Sequence, residues 1–116
     1  MRKPTIVELR RLESRKLLDD RFNWKLNSIR VHRSNGYVHE LAKFNVCWIL
    51  SKRGHAFVTE AIFKTGARAD ILDLDNHVAY EILNTETMTE LWKKIEKYPV
   101  KVIPIIAKRE ISEKDI

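Results

Sequence analysis

Glu60, Asp70 and Glu81 fall in three short apolar segments, AFVTEAIF, ARADILDL and HVAYEILNT, between Ala56 and Thr85. β-Branched and aromatic residues dominate each segment. Lys64-Thr65-Gly66 and Asp75-Asn76 interrupt them, so the stretch predicts three strands joined by two tight turns. A two-residue loop at Asp75-Asn76 sets Asp70 opposite Glu81. A three-residue loop at Lys64-Thr65-Gly66, with glycine in the left-handed position, sets Glu60 opposite Asp70. The acids then form one row across three adjacent strands, on one face of the sheet. Opposed residues hold their Cβ atoms about 4.5–5.5 Å apart, where like charges destabilise. A divalent cation removes that repulsion, since Mg2+ takes one or two carboxylates and completes its shell with water and substrate phosphate. The competing account is three unrelated surface acids. Register separates the two, because a two-residue turn at Thr65-Gly66 moves Glu60 opposite Ile71 and off the row.

Helical patterns flank the strands. Thr5 to about Asp20 predicts a helix, with Thr5 and Glu8 as a capping box and Ile6, Leu9, Leu12 and Leu17 as an incomplete apolar stripe. Phe22, Trp24 and Leu26 then alternate with polar residues, which fits a short strand or an extended connection. Phe22 and Trp24 suit core, dimer contacts or base-stacking surfaces, with core the default. RVHRSNG, from Arg30 to Gly36, is basic and turn-forming. A stronger helix follows over Tyr37 to Lys52, with Leu41, Phe44, Trp48 and Ile49 as packing residues and Gly54 at its end. On it Glu40 and Lys43 share a face. They are either an exposed ion pair or, if this helix packs beside the acid row, the source of a charged group for it. Thr87 and Glu90 form a second capping box ahead of the stripe Met88, Leu91, Ile95 and Tyr98, and Pro99 stops that helix. VKVIPIIAK is a fourth strand, which Pro104 confines to an edge or a bulge. The final EISEKDI frays or makes a short helical turn. The pattern is α/β within one domain: residues 1–36 form a basic helix and connection suited to DNA contact or dimerisation, and residues 37–116 form the core.

The chain has 116 residues, is 44% hydrophobic and carries a net charge of +6. That length suits a single core. No stretch approaches the roughly 18 apolar residues of a membrane span, and MRKPTIVELRRLESRK has no apolar signal segment, so a cytoplasmic protein is expected. A single cysteine, Cys47, excludes internal disulfides and reads as a buried structural thiol. Residues 1–35 hold ten Lys/Arg and four Asp/Glu, whereas the remainder holds twelve of each. A basic N-terminal third beside a neutral, acid-bearing core points to a polyanion, nucleic acid first, against the alternative of a solvated basic helix face. Arg10, Arg11, Arg30, Arg33, Lys64 and Arg68 are the candidate backbone contacts. The four histidines lack zinc-ligand spacing, and no Walker-type phosphate loop is present.

The order helix, strand, strand, strand, helix, strand, with RADILDLDNHVAYEIL supplying Asp70 and Glu81, resembles the PD-(D/E)XK nuclease superfamily, whose core is restriction-endonuclease-like. The resemblance covers about Tyr37 to Ala107. HELAK, TEAIF, RAD and YEILNT also look like the branch of CoiA-like competence nucleases, and archaeal Holliday junction resolvases are similar in size and in their basic N-terminus. The family pattern implies an acid on the second core strand, Glu-x-Lys on the third, and a further Glu from the preceding helix, here Glu40. The lysine position is Leu83, a departure from the pattern. That lysine normally orients the attacking water and offsets phosphate charge. Lys43 and Lys64 are the nearest substitutes, and Lys43 is favoured by the His-Glu-x-x-Lys helix.

Two functions follow. The first is a Mg2+- or Mn2+-dependent DNA endonuclease in which Asp70 and Glu81 ligate the metal and Glu60 or Glu40 adds a ligand or water contact. In it Lys43 stabilises developing charge, the basic segment holds the DNA backbone, and a homodimer suits paired cuts. The second is a catalytically inactive protein of the same fold that binds nucleic acid or a partner, for which Leu83 is the argument.

Overall fold

A computed structural model describes residues 2–84 and 88–116. Its elements are α1 (Ile6–Lys16), α2 (Tyr37–Lys52), β1 (Phe57–Ile62), β2 (Arg68–Asp73), β3 (Val78–Leu83), α3 (Met88–Ile95) and β4 (Lys101–Ile106), with 3-10 turns at Arg33–Asn35 and Glu113–Asp115. The chain is mixed α/β, with a four-stranded sheet in the order β1-β2-β3-β4. The first three strands are antiparallel. β4 returns parallel to β3, as a strand reached through an intervening helix does. It is an edge strand, the place Pro104 allows it.

Both turns set the register expected of them. Phe57 pairs with Asp73 and Ile62 with Arg68. Phe63 N–H donates to the Ala67 carbonyl across a loop where Gly66 has φ 90°, a conformation that glycine adopts without strain. In the second hairpin the last ladder pair is Asp73–Val78, so the loop spans residues 74–77, longer than the two residues expected, with the register unchanged. Asp73 explains the longer loop. Its buried carboxylate accepts the Asp75 N–H at 3.0 Å and the Asn76 side-chain amide at 3.2 Å, taking the place of ladder bonds.

Each face of the sheet buries its own apolar layer. Ala42, Val46, Cys47 and Leu50 of α2 pack on Phe57, Ile71, Tyr80, Ile82 and Ile105. On the opposite face Leu18, Phe22 and Leu91 pack on Val58, Leu72, Ala79, Leu83 and Val102, with Trp24, Ile95 and Tyr98 against them. Phe22 and Trp24 therefore face inward. The expected packing face of α2 is corrected in part: Ile49 is buried as expected, but Phe44 and Trp48 are exposed and stack on one another at 6.3 Å, whereas the small residues Ala42, Val46 and Cys47 lie innermost. Small side chains let the helix approach the sheet closely enough to cover it. Burial pushes the Cys47 thiol up to about 12, which keeps it protonated and inert. The capping box expected at Thr87 and the Met88 side chain lie outside the described residues.

The N-terminal region covers the free edge of β1. Asp19 N–H donates to the Ile62 carbonyl and Lys64 N–H to the Leu17 carbonyl. Further along, Asn27 exchanges two hydrogen bonds with Phe57, and Thr59 Oγ1 bonds the backbone of Ser28 and Arg30. An edge occupied in this way cannot pair with another chain. α1 has the expected Thr5–Glu8 capping box but ends at Lys16, and Ile6, Leu9 and Leu12 are exposed. Polar groups dock it instead: Ser14 Oγ bonds the Leu74 carbonyl, and Arg11 makes a two-pronged bond to Asp75 at 2.7 and 3.1 Å. Burial alone would raise the Asp75 pKa, but Arg11 and the Ala56 N–H outweigh it and the pKa is lowered. A depressed carboxylate pKa contributes stability above the unfolded value of about 3.9 and loses it as pH falls through the folded value. Arg11→Ala should therefore cost about 1–2 kcal/mol in urea denaturation at neutral pH. The gap from the parent protein should close as the pH is lowered below about 4.

Candidate active site

Strict alternation along a strand would put Val58 and Ala61 on opposite faces, yet both pack on the α3 side of the sheet. Glu60 takes up the odd step with φ 51°, a left-handed conformation that costs a non-glycine residue on the order of 1–3 kcal/mol. Ala69 and Leu72 show the same odd step across the ladder, with Asp70 between them. Two slips facing one another preserve the register while both acids turn toward α2. β3 keeps its alternation, with Tyr80 and Ile82 toward α2 and Ala79 and Leu83 toward α3.

Lys43 holds Glu60 in that conformation. Its ammonium is fully buried and donates to Glu60 Oε1 at 3.0 Å, to Glu40 Oε1 at 3.1 Å and to the Arg30 carbonyl. An ammonium has three protons, and each has an acceptor here. Glu40 also accepts the His32 N–H. Burial alone would raise the Glu40 pKa, but Lys43 and the His32 N–H outweigh it and the carboxylate stays charged. The role expected for Lys43, contact with a phosphate, is corrected on this geometry. It is an internal counter-ion joining α2, β1 and the segment before α2.

Asp70 and Glu81 stand where β2 and β3 part. Ladder pairs run from Asp73–Val78 to Ile71–Tyr80 and go no further. Beyond them each acid bonds the backbone of the other's strand: Glu81 Oε1 accepts the Asp70 N–H at 3.0 Å, and Asp70 Oδ2 accepts the Ile82 N–H at 2.7 Å. From α2, His39 Nε2 lies 3.5 Å from Asp70 Oδ2, and its Nδ1 lies 3.5 Å from Glu40 Oε2. Burial pulls the His39 pKa down, but the carboxylates on either side outweigh it and the net shift is upward. From the end of α3, the Tyr98 hydroxyl lies 2.8 Å from Glu81 Oε1 and within reach of the Arg68 carbonyl. Asp70 is thus steadied from one side of the sheet and Glu81 from the other, which corrects the expected row of acids on one face. β2 slips at Asp70 while β3 keeps its alternation, so Glu60 and Asp70 turn toward α2, Glu81 turns toward α3, and Asp70 and Glu81 meet only where their strands part.

Glu60, Asp70 and Glu81 all line one cavity of about 290 Å³. His32 and His39 line it on the α2 side, and Arg68 and Lys94 bring positive charge to its wall. Of the basic candidates, Arg68 alone borders it. Arg30 turns its guanidinium to the Asn23 carbonyl and the Phe22 ring, Arg33 is exposed in the 3-10 turn, and Arg10 gives its carbonyl to His77 Nε2. Arg11 is paired with Asp75, and Lys64 sits exposed in the first turn. His39, Lys94 and Tyr98 are the residues that spacing did not single out for this site. His39 adjoins Glu40 in the sequence, and Tyr98 follows Lys94 by four residues, just beyond the end of α3, but neither pattern reveals what it faces.

Hard oxygen donors of this kind suit Mg2+ or Mn2+. Among the described residues, no group of three or more His, Cys, Asp or Glu side chains is arranged to hold a metal ion. Asp70 and Glu81 could offer an ion two carboxylates at most, which leaves its other positions to water and substrate. Comparison of the chain with family models, characterised proteins and solved structures gives no match.

Removing Lys43 strands two buried carboxylates beside each other. Lys43→Met should cost about 3–5 kcal/mol in chemical denaturation, and Glu40→Gln with Glu60→Gln in the same chain should recover most of it.

Proposed function

We propose that this chain is a metal-dependent DNA endonuclease with a restriction-endonuclease-like core, and that Asp70 and Glu81 are its metal ligands. The observation that carries this reading is the meeting of those two carboxylates in one cavity, at the point where β2 and β3 separate, with Arg68 and Lys94 beside them. Acids placed together in apolar strands, with their backbone-bonded oxygens fixed, form a site ready for a cation. When bound, Mg2+ or Mn2+ supplies Lewis-acid polarisation of the phosphate and acidifies water.

The other roles belong to the chain itself. His39 positions Asp70, and the Tyr98 hydroxyl positions Glu81. Arg68 and Lys94 offset the charge of the phosphate. Leu83 is 2% exposed and packs in the α3-side layer, so a lysine there would have to leave the core to meet substrate. Lys94 comes from the helix on that same face of the sheet and lines the cavity, which makes it a better substitute for the missing lysine than Lys43 or Lys64. Phosphate contacts position DNA without reading its sequence, so selectivity is for backbone or strand structure. A homodimer of such sites would make paired cuts.

A binding module without catalysis is the second reading, favoured by the absence of a lysine at Leu83. Incubation with branched, duplex and single-stranded DNAs in Mg2+, Mn2+ or EDTA separates the two. The nuclease should cleave only with metal, and Asp70→Ala or Glu81→Ala should lower the rate at least about 100-fold while DNA binding persists. Metal-independent binding with no cleavage of any substrate would establish the binding module instead.

A further inference from the structure

A second cavity, of about 360 Å³, adjoins the first and shares Arg68, Glu81 and Lys94 with it. Lys93 and Lys97 complete its basic lining, so four cations face one carboxylate across a space of small-ligand size. The end of α3 puts the lysines there. Lys93 and Lys94 lie in the last turn of α3, and Lys97 is brought beside them by the turn that follows, in which its N–H donates to the Lys94 carbonyl. Lysines at a helix C-terminus also complement its dipole. That effect does not account for Arg68, which comes from β2 to the same cavity.

The two walls are fixed to each other. The Thr65 hydroxyl in the β1–β2 turn bonds the Lys97 carbonyl, and the Tyr98 hydroxyl reaches the Arg68 carbonyl. The Tyr98 ring is held in turn against Phe63 at 5.8 Å. The cations therefore border a formed groove whose inner end opens on Asp70 and Glu81.

We propose that this groove between α3 and β2 is the track of a single nucleic-acid strand, with Lys93 and Lys97 contacting the phosphates that follow the one at the carboxylates. This rests on the nuclease reading for the identity of the inner cavity and assigns the strand path to α3 rather than to the basic N-terminal third. Arg11 is paired with Asp75, and Arg30, though exposed, is turned to the Asn23 carbonyl and the Phe22 ring away from the carboxylates, whereas Lys93 and Lys97 are exposed and line the cavity that Glu81 borders. A single strand is the occupant because the cavity, at about 360 Å³, has room for only a short length of backbone.

The test is fluorescence anisotropy of labelled oligo-dT in EDTA over a range of salt concentrations, which reads binding without cleavage. Each phosphate that a cation neutralises on a single strand adds about 0.7 to the log–log salt slope. Lys93→Gln with Lys97→Gln should therefore reduce that slope by about 1.4 and weaken binding about tenfold or more. Lys93→Arg with Lys97→Arg should keep the parent slope. Lys52→Gln with Lys101→Gln, which removes two exposed lysines elsewhere, should leave affinity within the small change expected of net charge alone. Parent affinity and slope in the Lys93/Lys97 glutamine pair would overturn the track, as would no binding of oligo-dT by the parent protein. Metal-dependent cleavage alongside either result would leave the nuclease reading standing. A slope reduction confined to the α3 pair, in a protein that cleaves nothing, would keep the track and remove the nuclease.

Discussion

A lysine without solvent contact needs charge and hydrogen bonds supplied from inside the protein, and Lys43 obtains both from Glu40, Glu60 and the Arg30 carbonyl. Those acceptors come from three separate parts of the chain. α2 must lie over β1 for Glu60 to be reached, and the segment around Arg30 must run beside both. The same constraint sets the conformation of Glu60, whose left-handed backbone would relax if no cation held its side chain. Buried charge is an expensive way to join elements. Here it fixes a single arrangement of α2 against the sheet, which small apolar residues such as Ala42 and Val46 would leave free to slide.

The arrangement of the neighbouring acids follows from that joint. With Glu60 turned toward α2 and Asp70 opposite it, the ladder between β2 and β3 ends one step early, and the carboxylates of Asp70 and Glu81 take over its hydrogen bonds. Each acid is then oriented by backbone on one side and by a side chain on the other, His39 for Asp70 and Tyr98 for Glu81. Strain and buried charge meet at this corner of the sheet; the other buried carboxylates, Asp73 and Asp75, serve the β2–β3 loop and the docking of α1. Such a meeting is what a site prepared for a ligand requires.

Much of this was legible in the sequence, and the part that was not has a physical reason. Turn chemistry at Gly66 and Asp75-Asn76 determines the register, so the nearness of Glu60, Asp70 and Glu81 on adjacent strands follows from loop length, but a shared face does not. Nor does the slip in alternation at Glu60, because it depends on a lysine from another element. Phe44 and Trp48 mislead through their size: hydrophobic periodicity weights large side chains, but close packing of a helix on a sheet favours Ala42, Val46 and Cys47. The basic N-terminal third misleads through its net charge. Arg11 is paired with Asp75 and Arg30 lies at the surface against Asn23 and Phe22, while the cations at the cavity come from β2 and α3, in the part of the chain whose charges balance. Leu83 is visible in the sequence as a missing lysine. That Lys94 approaches the cavity from the same face of the sheet requires the packing of α3.

The central claim is that the gap between β2 and β3 is built to take a divalent ion between Asp70 and Glu81. Titration of the 15N-labelled protein with Mn2+ tests it most directly, since the paramagnetic ion broadens amide signals according to distance. The account predicts that the amides of Asp70, Ile71, Glu81 and Ile82 broaden first, that Mg2+ competes the effect away, and that Asp70→Ala abolishes it. Broadening that begins at other carboxylates, or that is unchanged in Asp70→Ala, would contradict the claim.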